Sequence, residues 1–273
     1  LRSDQEAELV QRSRTEAARF LRRDLPRFAR DARFTADFEA ALPLYWKDYY
    51  DGSNAGEMSE FEALRFLDWF VFDYELENGR RLIDLYNEEM SGDLAPEQNE
   101  LLQSWLDARP AGAYELLSYN GQNLHLRDYF SDETFDVFEA GGRGNVEPGE
   151  VILTRLVPVF DQTEFSTVAA YFPNGEEAGL KERLEAARTA DQETNPDATW
   201  ADFLRRHNYL IIHQALEEAE KAKRPPVARL DKQRTDPPIH SFNQDHDREG
   251  TVHRQRAYGS SQPHMAPTRR KVV

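Results

Sequence analysis

With 273 residues, 39% of them hydrophobic and 11% aromatic, the chain has enough apolar material for one large domain, or two small ones, plus a tail. Zero cysteines exclude disulfides, iron–sulfur clusters and thiolate zinc sites, and no apolar run approaches the roughly 18 to 20 residues that cross a bilayer. The net charge of −16 is unevenly spread: Lys221 to Val273 holds 12 Lys/Arg against 5 Asp/Glu, net +7, leaving 22 basic and 45 acidic residues, net −23, before it.

An acidic body of this kind repels a polyanion, whereas the basic end attracts one. The opening LRSDQEAELV lacks the basic-then-apolar layout of a secretory signal, so the cytoplasm is the default expectation. A first residue of Leu rather than Met leaves the true start of the chain, and any N-terminal address, outside what the sequence tells.

In chain order, residues 4–25 predict a helix on the spacing of Leu9, Val10, Ala17, Phe20, Leu21 and Leu25, kinked or ended by Pro26. Residues 35–50 predict a second, closed by Asp51-Gly52-Ser53-Asn54. Ser59 followed by Glu62 is a capping box that opens the densest apolar stretch, SEFEALRFLDWFVFDY. Its aromatic residues cover most of the helix circumference and leave a narrow polar strip of Glu62, Arg65, Asp68 and Asp73, the pattern of an interior helix. Helices at 82–89 and 97–108, the latter with Pro96 in its first turn, complete a set of about five.

From Ala113 the period drops to two. Strands are expected at 114–119, 123–128 (after the Asn120-Gly121 turn), 134–139, 151–157 and 164–172. Five strands with short turns predict an antiparallel meander or a small SH3-like or OB-like barrel. Helical spacing resumes at 176–190 and in one long run at 197–222, with Asp197 or Thr199 as its cap. The expected architecture is therefore α+β: a helical domain at 1–110, a small β domain at 111–173, C-terminal helices at 174–222 packing on the body, and an extended basic tail at 223–273. Paired prolines and scarce large apolar residues are why the tail is expected not to build a core.

Two stretches, FLDWFVFDYELENGRRLIDLY (Phe66 to Tyr86) and the strands with LHLRD (Leu124 to Asp128) and PGEVILTRLVPV (Pro148 to Val159), resemble a group of uncharacterised bacterial proteins. In that group a helical region with an FLDWF-type segment precedes a small β domain. The resemblance covers roughly Ala36 to Phe160 and rests mainly on core apolar positions. Some members end in a SEC-C motif, the cysteine-rich zinc knuckle at the tail of the SecA translocation ATPase. This chain has no cysteine, so that metal site does not carry over.

Few residues offer chemistry. Asp68 and Asp73, with Asp84 nearby, are candidates for an acidic cleft serving acid–base work or a hard cation. Five residues apart, the first two fall on opposite sides of a helix, and solvated or salt-bridged carboxylates are the ordinary reading. His207 and His213 are six apart, not the four that let two imidazoles share a zinc. His240, Asp245, His246, Asp247 and His253 have ligand chemistry without a scaffold to orient it. Gly141 to Asn145, with Arg143, does not open a helix and so reads as a hairpin connection rather than a phosphate loop. No catalytic, metal or cofactor site is expected.

What remains is the basic end. Lys221, Lys223, Arg224, Arg229, Lys232 and Arg234 form one cluster and Arg254, Arg256, Arg269, Arg270 and Lys271 another, with Phe242 and Tyr258 as anchoring or stacking groups. The expectation is a non-enzymatic accessory protein of a larger assembly, its acidic body carrying a tail that docks on a protein or ribonucleoprotein partner. The alternatives are a nucleic-acid or ribosome binder using barrel and tail, and a hydrolase with an acidic cleft.

Overall fold

The computed structural model describes residues 2–47, 49–173 and 175–223. Five α-helices come first: α1 (Arg2–Phe28), α2 (Thr35–Trp46), α3 (Glu60–Phe72), α4 (Leu82–Met90) and α5 (Pro96–Leu106). Of the two outcomes expected at Pro26, a kink or an end, α1 does not end before it but runs through to Phe28. A proline so near the C-terminus costs at most one intrahelical bond, and the helix stops two residues later. α2 ends earlier than its apolar spacing suggests, because Lys47 takes a positive φ, +54°, that breaks the helix.

α3 is the hub, and both bonds of its capping box form: Glu62 N donates to Ser59 Oγ (3.3 Å) and Ser59 N to Glu62 Oε2 (2.8 Å). Phe66 and Phe70 stack at 5.7 Å, and Phe38 of α2 stands edge-on to both. Tyr45 meets Phe66 and Trp69 from another side. Burying each large side chain of this kind stabilises the fold by about 1.5–3 kcal/mol, so the cluster anchors the helical layer. Phe61, one of the aromatic residues that give α3 its interior-helix pattern, is instead 38% exposed.

The expected five antiparallel strands are seven in a mixed sheet: β1 (Gly112–Asn120), β2 (Asn123–Asp128), β3 (Thr134–Phe138), β4 (Val151–Thr154), β5 (Leu156–Val159), β6 (Gln162–Phe165) and β7 (Ala170–Phe172), in the order β5-β6-β3-β2-β1-β4-β7. Two of the expected strands each break in two. Residues 151–159 bend at Arg155, so β4 pairs with β1 and β7 while β5 pairs with β6. Since one residue joins strands that lie far apart in the sheet order, the sheet must curl, giving a half-barrel. The second break, at Ser166 to Ala169, separates β6 from β7. β6 meets β3 in parallel through a single pair, Phe138 with Glu164, which is why the sheet is mixed.

Alternation decides what each face meets. Tyr114, Leu116, Leu124, Leu126, Ile152, Leu156 and Phe165 fill the inside of the curl. Val151, Leu153, Val157, Val159, Ala170 and Phe172 face the helices and join their core. Side chains continue to alternate through the bend, which turns Arg155 toward the helical layer.

Three more helices close the described fold: α6 (Leu180–Asp191), α7 (Trp200–His207) and α8 (Tyr209–Ala222). The single expected helix at 197–222 divides at Asn208, and of the two suggested caps it is Thr199 that forms a box, with Asp202. Tyr209 lies 6.4 Å from Trp69 near the end of α3, whereas Glu217 pairs with Lys47, beside the Trp46–Tyr50 contact. Tyr50 in turn faces Glu62 in the first turn of α3. α8 therefore runs antiparallel to α3, and the described chain leaves the fold on the side where α3 begins.

Candidate functional site

Two features stand out: a buried ionic cluster and an open cleft. At the first, Arg155 is fully buried and its guanidinium serves two carboxylates. Nε donates to Asp68 Oδ2 (3.1 Å), Nη1 to Asp73 Oδ1 (3.2 Å) and to the carbonyl of Arg109 (2.6 Å), and Nη2 to Asp73 Oδ2 (2.5 Å). Asp73, the C-cap of α3, also accepts from Asn208 Nδ2 at 2.6 Å, and Arg205 approaches it at 3.5 Å. Burial opposes the charge on Arg155, but Asp73 and Asp68 outweigh it and hold its pKa above the ordinary value. Asp68 is raised, because burial exceeds the help it receives from Arg155.

Sequence spacing placed Asp68 and Asp73 on opposite sides of a helix, and of its two readings the salt-bridged one holds and the solvated one does not. They are 9% and 3% exposed and converge because one guanidinium spans the gap and Asp73 lies just beyond the last helical residue. Arg65 is buried too, its pKa lowered by burial, and donates to the Leu153 carbonyl at 3.2 Å. The cluster ties α3, the bend of the sheet and the α7–α8 junction together. Its carboxylates are committed to cations, so it is built for cohesion rather than proton transfer.

The cleft has a volume of about 430 Å³, in the size range of ligand sites. Phe61 and Leu64 of α3 form one wall, and Phe138 to Ala140 and Glu164 to Ala169 the other. It opens where β3 and β6 part after their single pair. Arg22 of α1 pins the mouth, donating to Glu164 Oε2 (2.8 Å) and to the carbonyls of Phe165 (2.8 Å) and Ser166 (3.2 Å). The Ser166–Ala169 segment that floors the cleft has the ionic cluster behind it, since Thr167 and Val168 also line a cavity of about 30 Å³ shared by Asp68 and Arg155. The cleft thus offers apolar area, a fixed strand end and the side chain of Glu139, whose Oε1 accepts from Gly141 N at 3.0 Å.

The other candidates occupy ordinary places. Asp84 pairs with Arg81 at 2.7 Å. His207 Nε2 lies 3.0 Å from Asp191, and His213 Nε2 donates to the Leu44 carbonyl at 2.9 Å, so the two imidazoles have separate partners. Arg143 turns to Glu147 (2.9 Å) and over the Tyr119 ring. Among the described residues, no group of three or more Asp, Glu or His is arranged to hold a metal, and no helix is long and apolar enough to cross a membrane.

Of the basic candidates, Lys221 is exposed and pairs with Glu218 (2.6 Å), and Lys223 caps α8 in a left-handed conformation. Arg224, Arg229, Lys232, Arg234, Phe242, Arg254, Arg256, Tyr258, Arg269, Arg270 and Lys271 lie outside the described residues, as do His240, Asp245, His246, Asp247 and His253.

Residues 50–208, from just before α3 to the α7–α8 junction, match a family of unknown function, DUF7986. The chain belongs to this family. The DUF7986 match takes in the whole sheet and both partners of the Arg155–Asp73 pair, so the ionic cluster falls within the family's region. No curated protein and no solved structure matches the chain.

The central residue of the cluster, Arg155, was missed as a site. One signal was available: in VILTRLVPV it is the lone charge among apolar neighbours, and a cation in a strand buried on both faces needs a carboxylate.

Proposed function

We propose that the protein is a non-enzymatic accessory protein of a larger assembly, in which the folded acidic body presents a basic C-terminal segment to a macromolecular partner. The observation that carries this reading is where the charge changes sign. α8 ends at Ala222, and the acidic excess of the chain, net −23, stops at Glu220 in its last turn; from Lys221 the chain is net basic. Charge opposite to that of the body, concentrated at one end of the chain, suits an acidic protein surface or a phosphate backbone. The turning of Asp68 and Asp73 to Arg155, away from the open cleft, supports binding over acid–base chemistry.

Affinity capture with the full chain and with a form lacking residues 224–273 tests it. The expected result is a set of partners retained only by the full chain; identical partner sets overturn the reading. Nucleic-acid binding is the second reading, favoured by the Lys/Arg clusters with Phe242 and Tyr258 among them. It predicts affinity for RNA or DNA that falls steeply with salt and is lost in the same deletion.

A further inference from the structure

We infer that the cleft between α3 and the β3–β6 divergence is the receptor for the chain's own stretch 251–260, which partner binding must displace; this deepens the reading above and rests on it. Three observations converge. The described chain leaves α8 at Lys223 on the side where α3 begins, and Phe61 and Leu64 at that end of α3 wall the cleft. From there to Tyr258 there are about 35 residues, which at ~3.3 Å each reach far more than the width of the fold.

Chemistry selects the stretch. TVHRQRAYGS, Thr251 to Ser260, carries Arg254, Arg256 and one aromatic residue with no carboxylate, whereas the ten residues around Phe242, Pro238 to Asp247, hold two aspartates and no Lys or Arg. The cleft is apolar within; its Arg22 is paired with Glu164, Glu139 stands on its wall, and the exposed Glu60 lies one turn before Leu64 on α3. A tyrosine ring suits the apolar interior and flanking guanidinium groups suit Glu139 on the wall and Glu60 on α3. An acidic stretch would meet repulsion there.

The absence of native cysteines allows one to be placed cleanly. The full chain carrying Ala140→Cys on the cleft rim, spin-labelled and isotope-labelled, is read by NMR. The expected result is loss of more than half the peak intensity at residues 252–260, full intensity at 238–247, and recovery when the label is reduced. Phe61→Asp, at an exposed position, is expected to abolish the loss without moving the thermal melt. A uniform intensity ratio across residues 224–273, or a loss that Phe61→Asp leaves unchanged, overturns the inference. So does a loss that vanishes on tenfold dilution, which would assign the contact to a second copy. A uniform ratio together with partners lost on deleting 224–273 removes this inference and leaves the proposed function standing; identical partner sets remove the latter.

Discussion

Arg155 and Asp73 are buried against each other and joined by two hydrogen bonds, 3.2 Å from Nη1 to Oδ1 and 2.5 Å from Nη2 to Oδ2. The pair sits where the bend of the sheet meets the end of α3, and a third element, Asn208, closes on the same carboxylate. Removing the cation leaves Asp68 without the guanidinium it is bonded to, and Asp73 with Arg205 at 3.5 Å and the Asn208 amide, in a site that water barely reaches. Arg155→Met is therefore expected to cost about 3–5 kcal/mol, with Arg155→Lys intermediate because an ammonium cannot serve both aspartates in one plane. Urea unfolding of the variants measures this, and a cost below about 1 kcal/mol would show the cluster to be dispensable.

Acid should weaken the fold in a defined window. Hydrogen bonding from Arg206, with His207, holds Asp191 at about 2, and Arg183 and Lys47 bring Glu217 to about 2 against the opposing effect of its partial burial. Carboxylates lowered in the folded state contribute stability above their ordinary range, near 4, and lose it as pH falls through the folded value. Unfolding free energy is expected to fall between about pH 4 and 2. Asp191→Asn with Glu217→Gln should flatten that slope and lower stability at neutral pH while changing little at pH 2. An unaltered slope in the double variant would contradict the assignment.

The start of α3 depends on one hydroxyl. Ser59→Ala removes the acceptor for Glu62 N in a buried setting, and the expected loss is about 1 kcal/mol. Denaturant titration at neutral pH reads it directly, with an unchanged m-value indicating that only the cap was lost.

At Gly142 the backbone is left-handed, φ +69°, and a Cβ would come 3.2 Å from the Gly121 carbonyl oxygen in the hairpin turn opposite. Gly142→Ala is expected to destabilise by about 1–2 kcal/mol. Gly56→Ala, where a Cβ meets nothing within 4 Å and no left-handed φ is required, serves as the control and should stay within about 0.5 kcal/mol.

Local signals carried much of the architecture. The Ser59–Glu62 box, Pro96 at a helix start and the Asn120-Gly121 turn each act over a few residues, so the α+β order of helices, strands and helices was legible before any packing was known. The failures share a cause. Residues 151–157 and 164–172 each read as one strand because alternation persists through a bend; only their sheet partners, far apart in sequence, break them in two. The run 197–222 likewise reads as one helix because its apolar spacing continues across Asn208, where the chain divides into α7 and α8.

The chain by itself determined its division of charge, its apolar hub at α3 and its lack of thiol chemistry, since these follow from composition and from spacing along one element. Tertiary structure alone decided that Asp68 and Asp73 converge on Arg155, and that Phe61 lines an open cleft instead of a core. Both outcomes depend on where a curled sheet, closed through a bend at a single residue, meets the end of a helix more than 80 positions earlier. No periodicity within either segment encodes that meeting.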